Sequence, residues 1–136
     1  MSGWVASAEN MQRLLESAKE ARFRAYAPYS GFRVGAAIMC SDGNVYPGSN
    51  IENASYGLSV CAERNAVAAM IQGGCRFPLA IAVAGEGVEP CYPCGACRQV
   101  LAEFNPDITV VLEKQGRPVS FSLGELLPLG FSLPKP

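Results

Sequence analysis

Two short cysteine fragments, Cys61-Ala62-Glu63 and Pro93-Cys94-Gly95-Ala96-Cys97, limit what this chain can fold into more than any other feature of it. Each stands where a helix is predicted to begin. An Ala-rich run over residues 61–72 is closed by Gly73-Gly74, and a second run over residues 94–104 is stopped by Asn105-Pro106. A Cys-x-x-Cys pair at a helix start lets both thiolates point toward one ion. The free N–H groups and the dipole of a helix N-terminus also lower thiol pKa. A third cysteine joins that pair only if the fold sets the two helix starts side by side.

The chain contains no histidine, which removes Ser-His-Asp and Cys-His machinery and any His-ligated metal. Proton chemistry must then use a carboxylate, Lys, Tyr, Cys or a metal-bound water. Cys61, Cys94 and Cys97 supply three sulfurs, each at about 2.3 Å from a tetrahedral zinc. Three protein ligands leave one position for water, which separates a catalytic centre from a closed structural one. Cys91 offers an alternative, because Cys91-x-x-Cys94-x-x-Cys97 contains a fourth thiol that would close the site. Its place before Tyr92-Pro93, in the loop ahead of the helix, favours the three-cysteine site. Cys40 and Cys75 read as ordinary small apolar residues.

Glu63 follows Cys61 by two residues and is the carboxylate best placed to take a proton from a water on the open metal position. A glutamate in a first helical turn is also favoured by the dipole alone. The neighbouring thiols and the absence of histidine tip the balance toward chemistry. Three thiolates around Zn²⁺ leave a net negative charge that opposes ionising a bound water. Arg64 and Arg98, which directly follow Glu63 and Cys97, are placed to withdraw that charge by donating to sulfur.

With 136 residues the chain is read as one domain, residues 1–136, able to bury an ordinary hydrophobic core. Ser7 caps a first helix running to about Tyr26, and Pro28 disfavours its continuation. Strands are predicted over residues 32–40 and 45–50, joined by Ser41-Asp42-Gly43-Asn44, with Pro47 placing the second at an edge. Further strands cover residues 79–85, 108–112 and 119–121, and Ser122 to Glu125 has capping-box spacing. The order α-β-β-α-β-α-β-β describes a layered α/β domain with a mixed sheet covered by helices.

Charge narrows the partners. Lys and Arg number 11 against 12 Asp and Glu, a net charge of −1 with no basic run, which argues against a nucleic-acid polymer as ligand. The longest stretch free of charged residues, residues 65–75, has 11 residues. A membrane span needs about 18 or more. The first eight residues lack the pattern of a signal peptide, so a cytoplasmic location and reduced cysteines are expected. Only 17% of residues are charged, in keeping with surface covered by other subunits.

The two cysteine fragments match the zinc nucleoside deaminase signature, histidine-x-glutamate followed by Pro-Cys-x-x-Cys, with Cys61 in place of the histidine. The chain resembles the small homotetrameric cytidine deaminases over nearly its whole length. The shared fragments include Tyr26-Ala27-Pro28-Tyr29-Ser30-Gly31-Phe32, Gly48-Ser49-Asn50-Ile51-Glu52-Asn53-Ala54-Ser55-Tyr56, Arg98-Gln99-Val100 and Glu125-Leu126-Leu127-Pro128.

That resemblance implies a three-layer α-β-α sandwich with a five-stranded mixed sheet and one zinc per subunit. It implies hydrolytic deamination of cytidine and deoxycytidine, with Glu63 as the proton shuttle. Asn50 and Glu52 are expected to hydrogen-bond the ribose 3′-hydroxyl, Phe32 to pack on the nucleoside, and the Ala62 N–H to fix the base carbonyl. Ala54, Tyr56 and Phe131 are expected to reach sites of neighbouring subunits. The chain departs from the commoner pattern at Ser49, at Asn65 and in Pro128-Leu129-Gly130-Phe131, which makes Phe131 the least anchored of these positions.

Overall fold

The computed structural model describes residues 4–87 and 89–136. Helix α1, Ala8–Arg22, begins at the expected cap, with Ser7 Oγ accepting the Asn10 N–H at 3.1 Å. It stops four residues before Tyr26. The Tyr26 N–H donates to the Asn50 carbonyl and its own carbonyl accepts the Glu52 N–H, so its backbone bonds go to a neighbouring segment rather than to a further helical turn.

Strands β1 (Val34–Cys40) and β2 (Val45–Ser49) form the expected hairpin. Helix α2 (Ala62–Gln72) leads into β3 (Pro78–Gly85), and α3 (Gly95–Phe104) into β4 (Thr109–Lys114). Strand β5 (Arg117–Ser122) and the short α4 (Leu123–Leu126) follow. At α4 Ser122 and Glu125 form the capping box that their spacing predicts.

The five strands lie in the order β2-β1-β3-β4-β5. Only β3 and β4 run parallel, joined through α3, and the other neighbours pair antiparallel. This is the mixed sheet expected, with β2 and its Pro47 at an edge.

Alternation along the central strands sorts side chains between two layers. Ala37, Ala80, Ala82, Ala84 and Val111 meet Leu14, Leu15 and Ala18 of α1. On the opposite face Ile38, Ile81, Val83, Val110 and Leu112 meet Ala66, Val67 and Met70 of α2 and Leu101 of α3. Small residues let the helices lie directly on the sheet. A Cβ on Gly35 would stand 1.9 Å from the Ala18 carbonyl oxygen in α1, and one on Gly48 would stand 2.3 Å from the Ala66 nitrogen in α2.

One expectation about the cysteines fails. Cys40 and Cys75 are buried as predicted, but they are bonded to each other as a disulfide. The fold brings the end of β1 against the loop after α2 across 35 positions of sequence, a contact that no spacing pattern reveals.

Candidate active site

Helices α2 and α3 share one face of the sheet, and both begin at a cysteine: Cys61 is the N-cap of α2 and Cys94 the N-cap of α3. Neither side chain caps its own helix, so both sulfurs are available to a ligand. Cys94 Sγ lies 3.9 Å from Cys61 Sγ and 3.5 Å from Cys97 Sγ, and the three sulfurs all fall within 4.8 Å of one another. A tetrahedral zinc with bonds of about 2.3 Å holds its sulfurs about 3.8 Å apart, so the donor set fits that ion. Cys91 stands outside this cluster.

The electrostatics of the cluster follow from what surrounds it. Hydrogen bonding from Cys97 holds the Cys61 thiol down at about 5, with Arg64 and Cys94 reinforcing it against the effect of burial. Arg64 Nη2 donates to Cys61 Sγ at 3.6 Å. The same hydrogen bond to Cys61 drives the Cys97 thiol upward. Arg98 directs its donors elsewhere, to the Pro93 carbonyl at 2.8 Å and the Leu126 carbonyl at 2.7 Å. Its charge sits beside the ligands while its hydrogen bonds tie the loop before α3 to the end of α4.

Glu63, in the first turn of α2, is only 5% exposed. Burial pushes its carboxyl up to about 7, with the Cys61 charge adding to the rise. A carboxyl in that range both binds and releases a proton at neutral pH. Cys91 is pushed up to about 11 by burial and by the charge of Glu63, which keeps it a neutral thiol. Its sulfur and the Phe32 ring tip close over Gly85 at the end of β3: a Cβ there would meet them at 2.7 and 2.8 Å. Cys91 thus fills a wall, and the Cys91→Ala variant is expected to keep its full zinc content in elemental analysis. Loss of metal would mean a fourth thiolate ligand.

A cleft of about 450 Å³ opens at Cys61, with Tyr29, Asn50, Glu52 and Tyr56 among its lining residues. Asn50 Oδ1 accepts the Val34 N–H at 2.8 Å and its Nδ2 donates to the Phe32 carbonyl at 3.0 Å. Glu52 Oε1 accepts the N–H groups of Tyr29 at 2.9 Å and Ser30 at 3.1 Å, and Oε2 accepts the Ser30 hydroxyl. Tyr56 sets its ring edge against Tyr29, with centroids 6.1 Å apart, and remains 76% exposed. Ala62 is buried at the start of α2.

Two of the sequence-selected residues stand apart within the single chain. Ala54 is exposed beyond the cleft lining, and Phe131 lies along α3, where its carbonyl accepts from Gln99 Nε2 at 3.3 Å. Ser30, which the sequence offers only as one member of a shared fragment and with no role of its own, lines the cleft. Its place beside Glu52 had no local signal, because the two are 22 positions apart.

Comparison with known proteins yields consistent matches. A family model described as the cytidine and deoxycytidylate deaminase zinc-binding region matches residues 8–113. A cytidine deaminase of Halalkalibacterium halodurans is 49% identical over 123 residues, covering 89% of this chain and 93% of the relative. A blasticidin-S deaminase of Bacillus cereus is 30% identical over 107 residues, covering 73% of this chain and 76% of the relative. The crystal structure of a cytidine deaminase from Burkholderia pseudomallei superimposes with a TM-score of 0.83 at 52% identity, covering 88% of this chain and 98% of that one.

Proposed function

This chain belongs to the cytidine and deoxycytidylate deaminase family, and from that premise we infer how its residues divide the work. The reaction is the hydrolytic deamination of cytidine, in which water adds at C4 of the base, ammonia leaves and uridine remains. Cys61, Cys94 and Cys97 hold one zinc per chain, a reading supported by the spacing of their sulfurs. Zinc, when bound, supplies the Lewis acid that lets a water ionise near neutral pH.

Glu63 takes a proton from the attacking water and delivers it to N3 of the base, making C4 electrophilic. After oxygen adds at C4, Glu63 moves the proton of the new C4 hydroxyl to the 4-amino nitrogen, which departs as ammonia. The carboxylate is then back in its starting state. Its burial and its raised pKa support this double duty. Arg64 draws charge from the ligand sulfurs, and Arg98 adds positive charge while bracing the loop that carries Cys94. The Arg64→Ala variant is expected to lose about 10–100-fold in turnover while its melting temperature stays near that of the parent. An unaltered rate would leave Arg64 a packing role only and remove it from the electrostatics of the site.

Phe32 packs on the nucleoside, the Ala62 N–H holds the base carbonyl, and Asn50 with Glu52 binds the 3′-hydroxyl of the sugar. Deoxycytidine is a substrate on the same grounds, since these groups address the 3′ rather than the 2′ position. Ala54, Tyr56 and Phe131 serve sites of neighbouring copies in a homotetramer. That assembly is supported by the exposure of Ile51 and Tyr56, which line the cleft, at 51% and 76%, and of Leu58 at 67%. Sedimentation at working concentration is expected to give a tetramer, and an active monomer would exclude shared sites.

Among the described residues no helix is long and apolar enough to cross a membrane. A cytoplasmic location is supported by the free thiols of Cys61, Cys94 and Cys97, while the Cys40–Cys75 disulfide is of the kind that oxidising compartments favour. No nucleic-acid polymer is a partner, in keeping with a net charge of −1.

The observation that carries this function is the triangle of sulfurs at two helix starts beside a buried glutamate. Elemental analysis paired with uridine formation tests it, with one zinc per chain and conversion of cytidine expected. A folded, zinc-loaded chain that leaves cytidine unchanged would refute it.

A further inference from the structure

Ser30 joins two of the groups given roles above, Glu52 and Phe32. Its hydroxyl donates to Glu52 Oε2, and Ser30 Oγ in turn accepts the Phe32 N–H at 2.9 Å. Its backbone N–H donates to Glu52 Oε1 at 3.1 Å, beside the Tyr29 N–H at 2.9 Å. Across the cleft wall, Asn50 Nδ2 donates to the carbonyl of the same Phe32 at 3.0 Å. The Phe32 backbone is therefore held at its N–H by Ser30 and at its carbonyl by Asn50.

Counting donors and acceptors shows what this arrangement leaves for a ligand. An ionised carboxylate has about four lone-pair sites. Three protein donors occupy Glu52, which leaves one acceptor site. The Asn50 carboxamide has spent one of its two N–H donors on Phe32, which leaves one. One acceptor beside one donor suits a group that gives one hydrogen bond and takes one, which is a neutral hydroxyl. An ammonium would find too few acceptors, and a phosphate would meet the Glu52 charge. The Ser30 hydroxyl bond is also the main reason that the Glu52 carboxyl lies below the usual range, which keeps it ionised and an acceptor only.

We propose that Ser30 is the positioning residue of the sugar site: its hydroxyl fixes both the free lone pair of Glu52 and the backbone of Phe32. The proposal rests on the reading of Asn50 and Glu52 as the groups that bind the 3′-hydroxyl. Ser30 does not touch the reacting atoms, so its removal acts on binding, through Glu52 at the 3′-hydroxyl and through Phe32 at the nucleoside, and leaves the chemical step nearly intact. Ser30 is exposed in the single chain, so its substitution opens no core cavity.

The test compares Ser30→Ala, Ser30→Thr and Glu52→Gln with the parent holoenzyme on two substrates, cytidine and 3′-deoxycytidine. Zinc content and melting temperature are followed alongside. Ser30→Ala is expected to raise KM for cytidine about tenfold, the size of one hydrogen bond to a charged group. Its kcat should change much less, and its KM for 3′-deoxycytidine should rise clearly less than that for cytidine, because only the Phe32 share of the effect remains when the 3′-hydroxyl is absent. Ser30→Thr, which keeps the hydroxyl, should restore KM for cytidine.

An equal rise in KM on both substrates, or no rise on either, would overturn the proposal. Glu52→Gln separates the two levels of failure. If it abolishes the preference for cytidine over 3′-deoxycytidine while Ser30→Ala does not, Ser30 alone loses its role. If it leaves that preference intact, the sugar-site reading itself falls and the role of Ser30 falls with it.

Discussion

Replacement of Glu63 by alanine is expected to leave a folded, zinc-loaded protein whose turnover of cytidine has fallen by about 10²–10⁴-fold, the usual worth of a positioned general acid and base. The two parts of that expectation have separate causes. Metal is kept because the sulfurs of Cys61, Cys94 and Cys97 lie together without help from the carboxylate. Turnover is lost because Glu63 is the one carboxylate buried in the core among the described residues, and both proton transfers are routed through it. Stability should suffer little, since burial already disfavours the ionised form of this side chain. Elemental analysis, a thermal melt and a rate measurement on the same sample distinguish these effects. Near-parental turnover would remove Glu63 from the mechanism.

The second large effect is structural and reaches the same site from behind. A methyl group on Gly48 would lie 2.3 Å from the Ala66 nitrogen and 2.4 Å from the Ala62 carbonyl oxygen. Both are backbone atoms of α2, so no side-chain rotation relieves the contact. The helix must lift from β2, and it carries Cys61 at its cap and Glu63 in its first turn. Overpacking of this kind costs about 1–3 kcal/mol and occasionally more. Gly48→Ala is expected to lower the melting temperature and to weaken zinc retention together.

Gly35→Ala provides the comparison, because its methyl would strike the backbone of α1 on the opposite face of the sheet. That variant should lose stability with a smaller effect on zinc content. A Gly48→Ala protein with parental melting and full metal would mean that α2 is not held as closely as described.

What could be read from the sequence was what is decided locally. Ser7 and the Ser122–Glu125 pair act through bonds two or three residues away, so their spacing alone announces a helix start. The cysteine fragments were legible for the same reason, since Cys94 and Cys97 sit one turn apart and Cys61 opens its own helix. The end of α1 was not, because Tyr26 gives its backbone bonds to Asn50 and Glu52 rather than to a helical turn.

The Cys40–Cys75 bond and the clasp between Ser30 and Glu52 likewise join segments 35 and 22 positions apart. Arg98 adds a different lesson. Its position next to Cys97 suggested a bond to sulfur, whereas its guanidinium is taken up by the carbonyls of Pro93 and Leu126. Adjacency in sequence located the charge, and only the packing of α3 against α4 determined where its donors went.

The most direct measurement is ammonia release from cytidine by the purified protein, before metal removal, after it, and after zinc is restored. Three thiolate ligands beside Glu63 predict release that disappears on stripping and returns with zinc, while the protein stays folded throughout. Undiminished release from the stripped protein, or none from the folded and zinc-loaded one, would contradict the assignment of this site.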